Sequence, residues 1–128
     1  MEPRDVVSQF IADIRAQRWE NARALFATEG FEYVGPNMRL TTPDDVISYQ
    51  FAMAAIQKDI VVRQISVEGD QVHAILDYQT YYEPIGDVRL ALWFTVRDGH
   101  IVHMESFYNA AVVENMLSVD GPFPPRPA

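Results

Sequence analysis

Hydrophobic positions follow two different periods along the chain. In the first half, apolar residues recur with helical spacing, for example Val7, Phe10, Ile11 and Ile14 after a start at Glu2-Pro3, which places them on one face of a helix. From Ile60 onward, apolar and polar residues alternate, as they do in a strand with one buried face. Helices followed by strands predict an α+β domain.

Three helices are predicted in the first half of the chain. The first begins at Pro3, which the first helical turn accepts because its missing N–H needs no partner there. The second is predicted from Trp19 to Ala27, and a short extended run at residues 31–34 follows it. The third begins after Thr42, a suitable N-cap, and reaches Ile56. Apolar residues occur on most of its sides, so we expect it to be buried on more than one face.

Four strands are predicted in the second half, joined by tight turns. The last turn holds Asp98-Gly99, and an Asp-Gly pair between two β-rich runs is a strong hairpin signal because glycine adopts positive φ without steric cost. The strands should form an antiparallel meander over Val61–Val67, Val72–Tyr82, Val88–Arg97 and Ile101–Asn109. A last short helix is predicted at residues 109–117.

Composition narrows the class of protein. The chain has 128 residues, of which 48% are hydrophobic, and a formal net charge of −8. We expect one domain over residues 1–118 and a proline-rich tail over residues 119–128. The acidic charge argues against nucleic acid or a membrane as partner, since both need a basic surface. Without cysteine there is no disulfide or thiolate, and the polar start lacks the pattern of a signal peptide, so the expected location is cytoplasmic.

Strand alternation predicts which side chains face the helices. The nearly all-apolar set of each strand should lie on the concave side, where it forms a chamber with few polar groups. In the last strand this set includes Val102. The residues expected to contact a ligand in this chamber are Phe10, Ile14, Val34, Met53, Leu76, Leu92, Phe94, Met104, Ser106 and Tyr108.

Three segments carry a family resemblance: Val6–Ile11 followed by Arg18–Phe26, the Gly35 loop leading to Thr42-Pro43, and the closing Asp98–Asn109. They resemble the nuclear transport factor 2-like family, which includes ketosteroid isomerases, limonene-type epoxide hydrolases and polyketide cyclases of the SnoaL type. The resemblance implies a cone-shaped α+β barrel, with three N-terminal helices packed on a curved antiparallel sheet around a small-molecule pocket.

The resemblance also implies that two well-understood activities of the family are missing. It places the tyrosine and the two aspartates of ketosteroid isomerases on Phe10, Val34 and Leu92. It places the catalytic set of the epoxide hydrolases on Leu76, Tyr78 and Ser106, with Glu32 and Val34 beside them. Most of these side chains have no group that moves a proton near neutral pH.

Glu32 and Tyr78 are the candidate catalytic pair. A carboxylate at the mouth of an apolar chamber has a raised pKa and is suited to act as a base, with Tyr78 donating to a developing oxyanion. Alternatively, Glu32 lies on a solvated edge while Phe31 and Tyr33 point inward. Two functions stay open. The first is a cofactor-independent isomerase, cyclase or dehydratase that acts by proton transfer on an apolar ring such as a terpenoid, steroid or polyketide. The second is a non-catalytic module that binds a ligand or dimerises.

The outer sheet face carries a second set of side chains. His73, Asp77, His103 and Glu105 are metal-ligand residue types, but they lack the compact spacing of a metal motif, so we expect no metal site. The aromatic and aliphatic residues between them are Trp93, Phe107, Ile75 and Tyr81. Because aromatic residues are enriched in the cores of interfaces, this face predicts a homodimer.

Overall fold

The structure is a computed structural model, and it is described for residues 1–111. Three helices and six strands follow one another as α1 (Pro3–Arg15), α2 (Trp19–Arg23), β1 (Glu32–Gly35), β2 (Met38–Leu40), α3 (Pro43–Met53), β3 (Gln57–Glu68), β4 (Gln71–Thr80), β5 (Asp87–Arg97) and β6 (His100–Phe107). The predicted domain boundary at residue 118, the proline-rich tail and nearly all of the predicted helix at 109–117 lie outside the described residues.

The six strands form one curved sheet in the order β2-β1-β6-β5-β4-β3. All neighbouring strands are antiparallel except β1 and β6, which run parallel. The predicted α+β class, with helices packed on a curved sheet, is confirmed. The sheet is mixed rather than wholly antiparallel, because the chain crosses over between β1 and β6 instead of turning back directly. It is also not closed, since β2 and β3 are its two edges.

Helix α1 supplies the layer that covers the concave side of the sheet. Its N-terminus is closed by a capping box between Glu2 and Asp5, which satisfies backbone donors that a helix start leaves free. The predicted stripe Val7, Phe10, Ile11 and Ile14 is buried, together with Val6. The ring of Phe10 packs edge-on against Phe26 and Phe94. Packing of this apolar face against β3 to β6 therefore fixes α1 over the sheet.

The other two helices differ from the prediction. Helix α2 ends at Arg23 rather than Ala27, because the chain after it pairs with the sheet: the N–H of Ala27 donates to the carbonyl of Ile101 at 2.9 Å. Helix α3 begins after Thr42 as predicted, and the Thr42 hydroxyl accepts from the N–H of Asp45. Only Val46 and Met53 of α3 are buried, so the expectation of burial on several faces was wrong. In residues 1–111, no helix is long and apolar enough to cross a membrane.

A bulge in β6 changes which side chains of that strand are buried. Thr95 pairs with His103, whereas the next residue of β5, Val96, pairs with Ile101. Val102 is therefore an extra residue that shifts the alternation. Ile101 is fully buried and Val102 only half-buried, which corrects the prediction that Val102 faces the chamber. Along β4 and the second half of β5 the predicted alternation is confirmed, since each predicted inward residue there is buried.

Candidate functional site

A half-enclosed cavity of about 90 Å³ lies between the concave side of the sheet and helices α1 and α3. Most of its wall is apolar and is formed by Phe10, Ile11, Ile14, Met53, Ile60, Leu76, Val88, Leu90, Leu92 and Met104. Its polar wall consists of the side chains of Tyr33, Tyr49, Gln50, Tyr78, Ser106 and Tyr108. The lining side chains among residues 1–111 thus include hydroxyls and one amide, but no carboxylate, imidazole, amine or guanidinium.

Many residues proposed from the sequence meet at this cavity. Those that line it are Phe10, Ile14, Met53, Leu76, Tyr78, Leu92, Met104, Ser106 and Tyr108. They come from helices α1 and α3, from strands β4, β5 and β6, and, for Tyr108, from the residue after β6. The alternation of β4 and β5 explains why the residues of those strands share one face. Phe94 does not line the cavity, because it is fully buried beneath α1 against the ring of Phe10.

Glu32 and Val34 lie on the face of β1 that points away from the cavity. The residue between them, Tyr33, points inward and is 2% exposed, so strand alternation turns its two neighbours outward. The guanidinium of Arg39 donates to the Glu32 carboxylate, and Nδ1 of His103 lies 3.7 Å from it. The proposed roles of Glu32 as a cavity base and of Val34 as a ligand contact are therefore corrected: neither residue is at the cavity.

One hydrogen-bonded pair of hydroxyls lies in the polar wall. The Tyr33 hydroxyl donates to Oγ of Ser106 at 2.9 Å. This bond ties β1 to the end of β6. The phenols of Tyr49 and Tyr108 also line the cavity.

Tyr78 is anchored separately from this pair. Its hydroxyl donates to the backbone carbonyl of Met53 at 3.1 Å, and Oε1 of Gln57 lies 3.4 Å away. The carbonyl of Met53, at the end of α3, also accepts from the N–H of Ile56 at 3.1 Å. Tyr78 therefore joins β4 to the end of α3 while its ring forms part of the cavity wall.

Burial keeps the cavity tyrosines protonated. Desolvation raises the pKa of Tyr33 from 10.0 to about 12, although the hydrogen bond to Ser106 partly opposes the shift. Desolvation also raises the pKa of Tyr49 and of Tyr78, and for Tyr49 the nearby Tyr108 adds to the effect. These hydroxyls are consequently hydrogen-bond donors at neutral pH and are poor candidates for a general base.

Solved structures share this arrangement of helices and sheet. An NTF2-like protein of unknown function from Cytophaga hutchinsonii superposes with a TM-score of 0.76 at 16% identity, over 89% of this chain and 96% of that one. A polyketide cyclase-like protein from Sinorhizobium meliloti matches with a TM-score of 0.72 at 18% identity, over 80% and 94% of the two chains. The chain has the nuclear transport factor 2-like fold.

A third structure with the nuclear transport factor 2-like fold was solved with a small molecule. It is a protein with a ketosteroid isomerase-like fold from Catenulispora acidiphila, in complex with trimethylamine, and it matches with a TM-score of 0.72 at 16% identity over 84% of this chain and 88% of that one. No family model matches the sequence, and no curated protein matches it significantly. Because identities this low establish the fold alone, the function has to be argued from the cavity.

Several cavity residues were missed from the sequence. Tyr33 was placed inward only in the alternative to a catalytic Glu32, and alternation along β1 was the signal for it. Tyr49 and Gln50 lie on α3, whose apolar residues do not form one stripe, so periodicity did not indicate its cavity side. Ile11 and Ile60 were assigned to elements but not to the wall. Helix packing decides which part of an apolar face remains uncovered.

The outer sheet face holds ion pairs instead of a ligand set. The Asp77 carboxylate accepts from Arg89 at 2.8 Å and from Arg63 at 2.9 Å, and these guanidinium groups hold the pKa of Asp77 below its usual range. Nε2 of His103 lies 3.1 Å from the carboxylate of Glu105. Within residues 1–111, no three His, Asp or Glu side chains are grouped so that they could hold a metal ion.

Proposed function

We propose that the protein binds a small, neutral and mostly apolar molecule in the cavity beneath α1, without acid-base catalysis. The observation that carries this proposal is the chemistry of the wall, where apolar side chains surround tyrosine and serine hydroxyls and one amide. Burial of apolar ligand surface favours binding by about 25 cal/mol per Å². A charged ligand would lose its hydration with no opposite charge from the described wall to replace it.

The volume of the cavity limits the size of the ligand. About 90 Å³ is on the scale of the roughly 150 Å³ apolar cavity that accepts a benzene molecule and well below the roughly 300–1,000 Å³ of sites for drug-sized ligands. A single ring or a short branched chain fits this space. A four-ring steroid, one of the ligand types suggested by the sequence, would have to extend through the opening.

A proton-transfer enzyme is the weaker alternative. An isomerase, cyclase or dehydratase needs a base at the reacting atom, and Glu32 is on the opposite face of the sheet, paired with Arg39. The tyrosines keep their protons at neutral pH for the reasons given above. The complex of a similarly folded protein with trimethylamine supports binding of small molecules, and it favours neither a reaction nor a particular ligand for this chain.

A pair of variants tests whether the cavity is the binding site. Leu90 lies half-buried on the wall, so Leu90→Trp should fill part of the space and abolish saturation transfer from the protein to cyclic hydrocarbon and ketone probes in ligand-observed NMR. Val62 is 44% exposed and does not line the cavity, so Val62→Trp is the matched control and should leave the signals intact. Equal signals from both variants would place binding elsewhere.

We also propose that two copies of the chain pair through the outer face of the sheet. Trp93 is 36% exposed and Phe107 is 51% exposed there. The indole of Trp93 stacks on the ring of His73, and its N–H donates to Oε1 of Gln71 at 2.6 Å. A fixed aromatic surface of this kind loses little conformational entropy when a partner covers it.

A further inference from the structure

His103 lies between two carboxylates on the outer face of the sheet. Its Nε2 is 3.1 Å from a carboxylate oxygen of Glu105, and its Nδ1 is 3.7 Å from one of Glu32. A protonated imidazole has an N–H on each ring nitrogen, whereas a neutral imidazole has an N–H on only one of them. Only the protonated ring can therefore direct an N–H toward both carboxylates.

The two carboxylates differ in their other partners. The guanidinium of Arg39 donates to Glu32 at 2.9 Å, so Glu32 keeps a cation beside it whether or not His103 is charged. For Glu105, His103 is the only basic side chain within ion-pair distance in residues 1–111. The charge of the Glu105 carboxylate is therefore balanced only when His103 carries a proton.

This contact adjoins the aromatic surface proposed for the homodimer. Trp93 and Glu105 are paired residues of β5 and β6, so their side chains lie side by side on one face. The rings of Trp93 and His103 meet edge-on, with their centres 5.8 Å apart. In the single chain the side chain of His103 is 27% exposed and that of Glu105 is 24% exposed. A second copy seated on Trp93 would remove the remaining water from both.

The other charged groups around this contact are occupied. On β5 an uncharged threonine lies opposite His103, and the next arginine of that face is paired with Asp70. On β4, His73 stacks against the ring of Trp93. The two remaining arginines of the β3–β5 part of the face are bound to Asp77. Within residues 1–111, the balance of charge between the two carboxylates and their neighbours therefore depends on His103.

From this arrangement we propose that pairing of two copies through the outer face is coupled to proton uptake by His103, so that the homodimer is tighter in mild acid than in mild alkali. The inference rests on the proposed homodimer and specifies its regulation. Burying a carboxylate without a cation costs far more than burying a paired one. Histidine is the side chain that ordinarily gains its charge between about pH 8 and about pH 5, where carboxylates are already ionised.

The size of the effect follows from the symmetry of a two-fold dimer. Each copy contributes one contact between His103 and Glu105, so two protons are linked to one pairing event. Each linked proton changes the dissociation constant by up to tenfold per pH unit. Between about pH 8 and about pH 6 we therefore expect the dissociation constant of the wild-type dimer to fall by about ten- to hundredfold.

Sedimentation equilibrium of three variants at both pH values tests the inference. His103→Gln keeps a side chain that can donate to Glu105 but cannot gain a charge, so its dimer should be as weak in acid as in alkali. Glu105→Gln removes the carboxylate that needs the proton, so its dimer should be tight at both pH values. His73→Gln is the matched control and should keep the wild-type response, which separates His103 from a general loss of negative charge in acid.

Calorimetry counts the protons directly. Dilution of the wild-type dimer should give different heats in phosphate and in Tris, because the two buffers exchange protons with different heats of ionisation. Dilution of His103→Gln at a concentration where it is dimeric should give equal heats in the two buffers. Thermal unfolding of each variant at both pH values shows that the comparison uses folded protein.

The possible failures are distinguishable. A wild-type dimer of equal affinity at both pH values, or one that is tighter in alkali, would overturn the proton coupling and leave the homodimer intact. Loss of the response in His73→Gln but not in His103→Gln would assign the proton to the wrong histidine and overturn the inference as stated. A wild type that stays monomeric at micromolar concentration at both pH values would overturn the homodimer and this inference together.

Discussion

At the scale of single residues, hydroxyl groups decide the chemistry of this cavity. Tyr33 and Tyr78 each donate to a neighbouring group in the protein. A buried phenol with a satisfied proton costs little, whereas an ionised one would be desolvated without a cation beside it. The surroundings of these phenols therefore favour their neutral form. As a result, the free energy of unfolding of the protein should depend on pH in the alkaline range.

Tyr33 makes this dependence measurable. Its folded-state pKa of about 12 exceeds the ordinary value of 10.0, so its contribution is complete below about pH 10 and is lost as the pH rises toward the folded pKa. Between about pH 9 and about pH 11, the free energy of unfolding of wild type should fall by about 1 kcal/mol more than that of Tyr33→Phe. Urea unfolding of both proteins measures the difference, and identical losses would mean that Tyr33 titrates normally.

At the scale of elements, the structure shows which patterns were sufficient to predict the fold. Regular periodicity predicted α1, and alternation predicted β4 and most of β5. The sequence carried no signal for the bulge at Val102, because an extra residue in β6 is defined only by its pairing with β5. The early end of α2 has the same origin, since helical propensity around Ala27 is overridden by hydrogen bonds to β6.

The β5–β6 turn was read correctly from Asp98-Gly99, and its backbone shows why. Both residues have positive φ, 52° at Asp98 and 75° at Gly99, as a two-residue hairpin turn with matching twist requires. Gly99→Ala should lower the free energy of unfolding by about 1–2 kcal/mol, the cost of a left-handed conformation for an ordinary residue. Gly99→Asn should cost less, because Asn tolerates this region. Urea unfolding compares them, and equal stability of Gly99→Ala and wild type would contradict the turn geometry.

At the scale of the whole molecule, the fold separates two surfaces with different proposed uses. The concave side carries the cavity, and the convex side carries Trp93 and Phe107 between the ion pair of Asp77 with Arg89 and the contact of Glu105 with His103. The position of Glu32 illustrates what sequence reasoning lacked. From the sequence, either Glu32 or its neighbour Tyr33 could point inward, and the pairing of β1 with β6 sets which of them does.

The convex surface should hold the homodimer together. Trp93→Glu would place a carboxylate in the interface next to Glu105, so its burial without a partner should shift the protein toward monomers. Phe51→Glu is the matched control, because Phe51 is 64% exposed on α3, away from this face. Sedimentation velocity at micromolar concentration should show dimers for wild type and for Phe51→Glu. A monomeric wild type would refute the assembly.

Binding of a small neutral molecule under α1 is the central claim, and the methionine methyl groups report on it directly. Met53 and Met104 line the cavity, whereas Met38 does not. In protein labelled at its methionine methyls, NMR titration with cyclohexanone should shift the resonances of Met53 and Met104, assigned through Met53→Leu and Met104→Leu, and should leave Met38 in place. Shifts confined to Met38, or unchanged Met53 and Met104 resonances at saturating probe, would show that the cavity is not the binding site.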